Sequence, residues 1–358
     1  MRRGVRGLAP RRRTDELSRH WLAPLTPLYA AGVAVRNWRI EHGVEPVRRL
    51  RWPVVSVGNL STGGSGKTPL TIALARALSA RGLQVDVLSR GYGRTSKLAA
   101  RVRSDGAAEE FGDEPLLIAR ETDLPVYVAP QRYEAGLLAE AARPASAGAA
   151  VHLLDDGFQH RQLHRDVDIL LLNRQDMSDR LLPAGNLREP LRALARAAVL
   201  AVPADEPEIE QSLRKIIPFD RGTELPRSTA PLWKLKRTME IPAVRGPVAA
   251  FCGIARPEQF FAGLEAAGLQ IALRRAFPDH FAYTRRVLEE LLAEARAQKV
   301  EAMLTTGKDL ARMGELAAIF APSMPLMTVR LRVEIEDEEA ALDWLIGRLR
   351  QSARRDAS

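Results

Sequence analysis

Short apolar runs separated by stretches of helical spacing set the rhythm of the first two thirds of the chain. The runs fall at 53–57, 84–89 (QVDVLS), 124–129 (LPVYVA), 151–155 (VHLLD), 167–172 (VDILLL) and 197–202 (AAVLAV). They are rich in valine, leucine and isoleucine and lack strict polar alternation, which predicts strands buried on both faces. Helical stretches lie between most of them. The clearest, PLTIALARALSARG (69–82), repeats apolar residues at helical spacing and stops on glycine. Such alternation predicts an α/β fold, a mainly parallel sheet with helices on both faces. Residues 203–246 break the rhythm with six prolines and mixed charge, and WKLKRTMEI (233–241) reads as a short strand or hairpin. A second, smaller α/β unit follows, with strands near 247–251, 269–275, 300–305 and 325–333 and helices starting near 257, 283 and 337. The expected organisation is therefore an N-terminal segment (1–50), a main α/β domain (51–220), a linker or hairpin (221–246) and a C-terminal α/β domain (247–358).

Composition agrees with two globular domains: 358 residues, 46% hydrophobic and 27% charged, enough for a sizeable core and incompatible with wholesale disorder. The one cysteine, Cys252, has no internal disulfide partner, and no signal peptide with a cleavage site is recognisable, so a reducing cytoplasm is the expected home. Cys252 reads as a small buried hydrophobe.

Charge changes the picture at one end. Residues 1–51 carry twelve arginines (2, 3, 6, 11, 12, 13, 19, 36, 39, 48, 49 and 51) against Asp15, Glu16, Glu41 and Glu45, so +8 of the chain's net +9 lies there. Between the basic clusters the uncharged run from Trp21 to Val35 is 15 residues long and contains Pro24 and Pro27, short of the ~20 needed to span a bilayer. Trp21, Tyr29, Trp38 and the flanking arginines point to an interfacial segment on an anionic membrane surface. A helix packed on the protein's own core and a nucleic-acid patch are the alternatives. The latter lacks an accompanying pattern of base-stacking aromatics.

The candidate chemistry starts at VGNLSTGGSGKTP (57–69), between a strand and a helix. It matches the phosphate-binding pattern GxxxxGK(S/T) except that Ser61 stands at the first glycine. In residues Ser61, Thr62, Gly63, Gly64, Ser65, Gly66, Lys67 and Thr68 the glycines let backbone N–H groups turn onto phosphate oxygens. Lys67 supplies charge for the β- and γ-phosphates, and Thr68 a hydroxyl for Mg²⁺. Pro69 suits the first helical turn. An ordinary glycine-rich turn is the plainer reading, and the strand–loop–helix context argues against it. The second constellation, VHLLDDGFQH (151–160), ends an apolar strand in carboxylates. Asp155 and Asp156 are thereby metal candidates opposite the phosphate loop, expected to point to opposite faces of the strand. A solvated turn is the alternative, since DDG is also turn sequence.

Taken in order, VGNLSTGGSGKTP, SRGYGR (89–94), GDEP (112–115), APQRYEAG (129–136), DDGFQH (155–160), LLPAGNLREP (181–190), FCGIARPEQF (251–260) and FPDHFAY (277–283) resemble the tetraacyldisaccharide 4'-kinase family. That family places Ser or Thr where Ser61 stands. The resemblance implies a P-loop NTPase-like kinase domain over 51–220, ATP and Mg²⁺ as cofactors, and phosphoryl transfer to the 4'-hydroxyl of an acylated glucosamine disaccharide 1-phosphate in lipid A biosynthesis. The setting would be peripheral, at the cytoplasmic face of the bacterial inner membrane, with no nucleic-acid partner. It implies a catalytic Asp113, paired with His280, beside Lys67. Read without the family, Asp113 is a helix cap and His280 a surface histidine. Glu114 and Glu189 are further metal candidates; Arg90, Arg132, Gln159, His160 and Arg188 are candidates for holding phosphate or sugar. TTGKD (305–309) resembles the family's TEKD near the nucleotide base, with Gly307 at its glutamate. The competing class is a membrane-associated P-loop switch or partitioning NTPase. A GTPase of that class would carry NKxD, and TGKD lacks its asparagine.

Overall fold

The computed structural model describes residues 20–143, 148–216, 231–321 and 323–355. Arg2, Arg3, Arg6, Arg11, Arg12, Arg13 and Arg19, and residues 221–230 of the expected linker, lie outside the described residues. A 3₁₀ turn (His20–Leu25) leads into α1 (Thr26–Glu41), after which β1 (Val54–Asn59) opens the main sheet. Then come α2 (Lys67–Ala80), β2 (Gln84–Ser89), β3 (Ala100–Arg101), α3 (Asp113–Thr122), β4 (Val126–Val128), α4 (Arg132–Ala141), β5 (Ala150–Asp155), β6 (Val167–Leu171), β7 (Val199–Pro203) and α5 (Pro207–Ile216). The C-terminal part comprises β8 (Leu232–Glu240), β9 (Val248–Cys252), α6 (Pro257–Ala266), β10 (Ile271–Ala276), α7 (Arg285–Ala297), β11 (Ala302–Thr306), α8 (Gly307–Met313), β12 (Leu326–Ile335) and α9 (Glu338–Arg355).

Among the described residues twelve strands form one sheet in the order β10-β9-β11-β12-β8-β7-β6-β1-β5-β2-β4-β3. All pairings are parallel except β12 with β8 and β3 with β4. The β8 strand is the short strand expected at WKLKRTMEI, within the stretch expected to be a linker or hairpin. It carries the sheet across, pairing parallel with β7 and antiparallel with β12 from Leu235↔Ile335 to Glu240↔Arg330. Its alternation of buried Trp233 and Leu235 with exposed Lys234 and Lys236 is that of a strand with one wet face. The break in rhythm also contains α5, whose Ile209 and Leu213 are buried at i, i+4.

Side-chain alternation sends each strand's residues into two layers. Val55 and Val57 of β1, with Val87 and Leu153, meet Leu70, Leu74 and Leu78 of α2 and Leu116 of α3. Val54, Leu88 and Leu154 face α4 on the other side. The first cluster also takes in Trp233, Leu235, Val333 and Ile335 and the Leu342, Leu345 and Leu349 stripe of α9. The C-terminal helix thus packs into the core of the main domain. Phe251, Leu288, Leu292, Met303 and Phe320 form a separate core in the smaller unit. Cys252 is fully buried there against Phe260 and Leu264.

On α1, Val33 and Ile40 are buried, whereas Leu28 and Trp38 are exposed by 73% and 53%, as is Trp21 of the preceding 3₁₀ turn by 73%. The segment therefore has one face on the protein and a second, apolar face in solvent. Among the described residues no helix is long and apolar enough to cross a membrane.

Candidate active site

Parallel β1, β5 and β2 end together, and the loops that leave them meet at a cleft of about 1950 Å³ between the main sheet and the smaller unit. Ligand sites of open α/β sheets form at such carboxyl ends. The β1 strand gives way to the phosphate loop, in which Gly63 (φ 103°) and Gly66 (φ 92°) hold left-handed backbone that side chains resist. Ser61 holds no such conformation, so glycine is not required there. Its hydroxyl instead accepts a hydrogen bond from Asn59 Nδ2 at 3.3 Å. The segment 186–188 of LLPAGNLREP runs alongside: Thr62 N donates to Asn186 O (2.8 Å) and Arg188 N to Leu60 O (2.7 Å). Lys67 Nζ donates to Asn59 Oδ1 at 2.9 Å and lies 3.4 Å from Asp156 Oδ1.

The two acids of DDG differ from the sequence expectation. Asp155 ends β5, but Asp156 has left the strand with φ 52°, so the two are not opposed across a pleat and both line the cleft. Asp155 accepts from Thr71 Oγ1 of α2 at 3.1 Å. Burial, reinforced by Glu114 and Asp156, pushes its carboxyl up to about 7. Burial acts the same way on Asp156, but the charges of Lys67 and Arg188 outweigh it and hold that carboxyl at about 2. Arg188 Nη1 reaches both Asp156 oxygens (3.1 and 3.0 Å) and Gln159 Oε1 (3.2 Å), while Gln159 Nε2 donates to Asn59 O. Arg132 is buried beside them, its Nε without a partner, and burial lowers its pKa to about 10. Arg90 also lines the cleft.

Asp113 and Glu114 open α3, and α8 of the smaller unit meets them with two cations. Lys308 Nζ donates to Glu114, while Arg312 contacts Asp113 Oδ2 through Nη2 (2.6 Å) and Nε (2.8 Å). His280, in the β10–α7 loop, brings Nδ1 to 3.3 Å from that same oxygen. Its backbone φ is 58°, and its ring tilts against Tyr92 at 5.2 Å. Burial would raise the Asp113 carboxyl, but the His280 hydrogen bond and the Arg312 charge outweigh it and hold it well below the usual range. The hydrogen bond to Asp113 raises His280 above the ordinary histidine value, against burial and Arg312.

Three further expected residues are already paired or lie off the cleft. Glu189 is fully buried and satisfied by Arg196 (2.7 and 3.1 Å), with Asn37 and Arg36 of α1 nearby, away from the phosphate loop. Glu114 lines the cleft but is neutralised by Lys308. His160 does not line the cleft, and burial pushes its pKa down to about 3, with Arg132 and Arg165 adding to the effect. In TTGKD, Asp309 is buried and ties the smaller unit together, accepting from Gly253 N, Tyr283 OH (both 2.9 Å) and Thr306 Oγ1 (2.6 Å). Sequence reasoning missed Asn59, Thr71, Lys308 and Arg312. The last two share a helix face at i, i+4, Lys308 as the lysine of TTGKD and Arg312 just beyond it, but nothing in the sequence names their partners.

Among the described residues no group of three or more His, Cys, Asp or Glu side chains is placed to hold a metal alone. A divalent ion that keeps waters and uses nucleotide phosphates needs fewer. Asp155, whose carboxyl is pushed up by burial and then by the neighbouring Glu114 and Asp156, suits such an ion.

A family model described as tetraacyldisaccharide-1-P 4'-kinase matches residues 18–350. The tetraacyldisaccharide 4'-kinase of Koribacter versatilis is 42% identical over 333 residues, covering 90% of this chain and 97% of the relative. That of Aquifex aeolicus is 37% identical over 336 residues, covering 89% and 95%. A crystal structure of LpxK from Aquifex aeolicus in complex with ATP superposes with a TM-score of 0.70 at 35% identity, covering 92% of this chain and 99% of that one.

Proposed function

We infer the chemistry of this cleft from one premise: the chain belongs to the tetraacyldisaccharide 4'-kinase family. It is an ATP-dependent kinase that phosphorylates the 4'-hydroxyl of tetraacyldisaccharide 1-phosphate in lipid A biosynthesis. The observation that carries the residue roles is that Lys67 and His280, from opposite sides of the cleft, line one cavity.

The loop from Ser61 to Thr68 receives the ATP phosphates on backbone N–H groups, and Lys67 faces the transferring phosphoryl group. Lys67 is held in reserve by Asn59 and Asp156 until the nucleotide's charge competes for it. Thr68, Asp155 and Asp156 would hold Mg²⁺, which when bound neutralises charge building on the phosphates. A sugar hydroxyl holds its proton too tightly to lose it unaided at neutral pH. Of the Asp113–His280 pair, Asp113 keeps its charge and His280 titrates nearer neutrality, so the imidazole is the group that takes the proton. With Nδ1 facing Asp113, Nε2 is the accepting atom. Arg90, Arg132 and Arg188, whose charges are only partly matched by carboxylates, attract the acceptor's phosphate.

The exposed Trp21, Leu28 and Trp38 rest on the inner membrane, with Arg36 and Arg39 beside anionic headgroups. Nucleic acid is not a partner in this reading. ATP consumption, followed with and without the acylated disaccharide, tests the kinase reading: turnover should require the acceptor and yield one 4'-phosphate per ATP. Acceptor-independent hydrolysis at full rate would favour a switch NTPase.

A further inference from the structure

We propose that Arg312 is a positioning residue for the proton-accepting pair, acting on His280 through Asp113. The inference rests on the role given above to Asp113 and His280. All three donors that reach the Asp113 carboxylate converge on Oδ2: Arg312 Nη2 at 2.6 Å, Arg312 Nε at 2.8 Å and His280 Nδ1 at 3.3 Å. None of the described hydrogen bonds or ion pairs goes to Oδ1. A carboxylate gripped at one oxygen by a planar guanidinium has little rotational freedom, and that oxygen is the one that orients the imidazole. The orientation of the His280 ring, whose Nδ1 faces Oδ2 and also lies 3.5 Å from Arg312 Nη2, is therefore set by where Arg312 puts Oδ2.

Arg312 is itself clamped. Its side chain is 7% exposed, and its remaining nitrogen, Nη1, donates to Gly253 O and to Asp309 Oδ1 (3.2 Å). Asp309 is in turn fixed by Gly253 N, Tyr283 OH and Thr306 Oγ1. Arginine and histidine both come from the smaller unit, whereas the carboxylate comes from the main one. Only when the two units meet is Oδ2 held at both ends. The fork is essential to this reading, since a lysine could meet Asp113 or the Gly253–Asp309 pair but not both.

The test compares Arg312→Met and Arg312→Lys with wild type, each also in an Asp113→Asn background, measuring kcat and the KM for ATP separately. In the otherwise wild-type protein, Arg312→Met should lower kcat about a hundredfold with the KM for ATP changed less than about twofold, as a misplaced catalytic group does. Arg312→Lys should fall between. In the Asp113→Asn background either change should cost less than about threefold, because the group it acts through is already lost. Equal fold-losses in both backgrounds would mean that Arg312 only holds the units together, and normal kcat in a folded Arg312→Met protein would also overturn the proposal. Should Arg312→Met not fold, since it leaves Asp113 buried and unpaired, Arg312→Lys carries the same comparison. Near-normal turnover of Asp113→Asn alone would overturn the underlying reading of the pair. A slow Asp113→Asn with a fast Arg312→Met would overturn only the inference.

Discussion

Replacing Asp113 by asparagine should move the acid limb of the kcat profile to lower pH while lowering its plateau. As a base His280 must be neutral, so activity rises with pH as the ring loses its proton. In the intact pair the Asp113 hydrogen bond and charge raise that pKa above the ordinary ~6.5, and the limb lies correspondingly high. Removing the carboxylate charge at 3.3 Å forfeits 332/(80 × 3.3), about 1.3 kcal/mol, even at the dielectric of bulk water. That floor suits a side chain 39% exposed, for which solvent screening is strong. At 1.36 kcal/mol per unit it displaces the limb by about one pH unit. Arg312 remains 3.5 Å from Nδ1 and presses in the same direction, while Asp279, 3.9 Å from Nε2, opposes it weakly. The assay is initial velocity at saturating ATP and acceptor across pH 5–9 at constant ionic strength, with a plateau loss of at least about 10²-fold expected. A limb that stays within a few tenths of a unit of wild type, or moves to higher pH, refutes the assignment of the proton to His280.

Lys67→Ala and Asp156→Ala should each give a folded protein whose turnover drops by about 10² or more, checked by steady-state kinetics beside circular dichroism. Truncating the exposed apolar residues of the first helix and the turn before it, Trp21→Ser with Leu28→Ser and Trp38→Ser, should weaken sedimentation with anionic vesicles and raise the KM for micellar lipid but not for ATP. Unchanged, salt-insensitive vesicle binding would count against the membrane reading. The buried His152, between Asp86 (3.4 Å) and Glu140 (3.5 Å), has its pKa raised by those two acids against burial. Its contribution to stability is full below the unfolded value near 6.5 and lost as pH rises through the higher folded value. The melting temperature should therefore fall from pH 6 to pH 9, and less so in His152→Gln; identical slopes would remove His152 as the cause.

What the sequence made legible was what is local. The strands of the main sheet, the phosphate loop and DDG could be read because buried parallel strands are continuous apolar runs and phosphate cradles are contiguous. The role of WKLKRTMEI could not, since its partners β7 and β12 lie on either side of it in the chain and pairing register leaves no mark in one strand alone. The same holds for the ion pairs. Glu189 and Glu114 are equally plausible metal ligands in a string of letters, and only folding gives Arg196 to one and Lys308 to the other. Asp156 escaped because a left-handed turn at a non-glycine residue is set by the fold around it, and its ion partners Lys67 and Arg188 are distant in sequence.

Tyr29, on the first helix, donates its hydroxyl to the main-chain carbonyl of Arg188, whose guanidinium lies on Asp156 beside Lys67. With Glu189 next in sequence holding Asn37 and Arg36 of the same helix, the exposed helix and the phosphate cradle are joined by a short rigid strut. If the tryptophan face rests on a bilayer, that strut fixes the altitude of the reacting phosphoryl group above the acyl chains. The enzyme then measures its acceptor like a depth gauge: a hydroxyl carried at the height of the second sugar is in range, and one level with the headgroup phosphate or dissolved in bulk water is not.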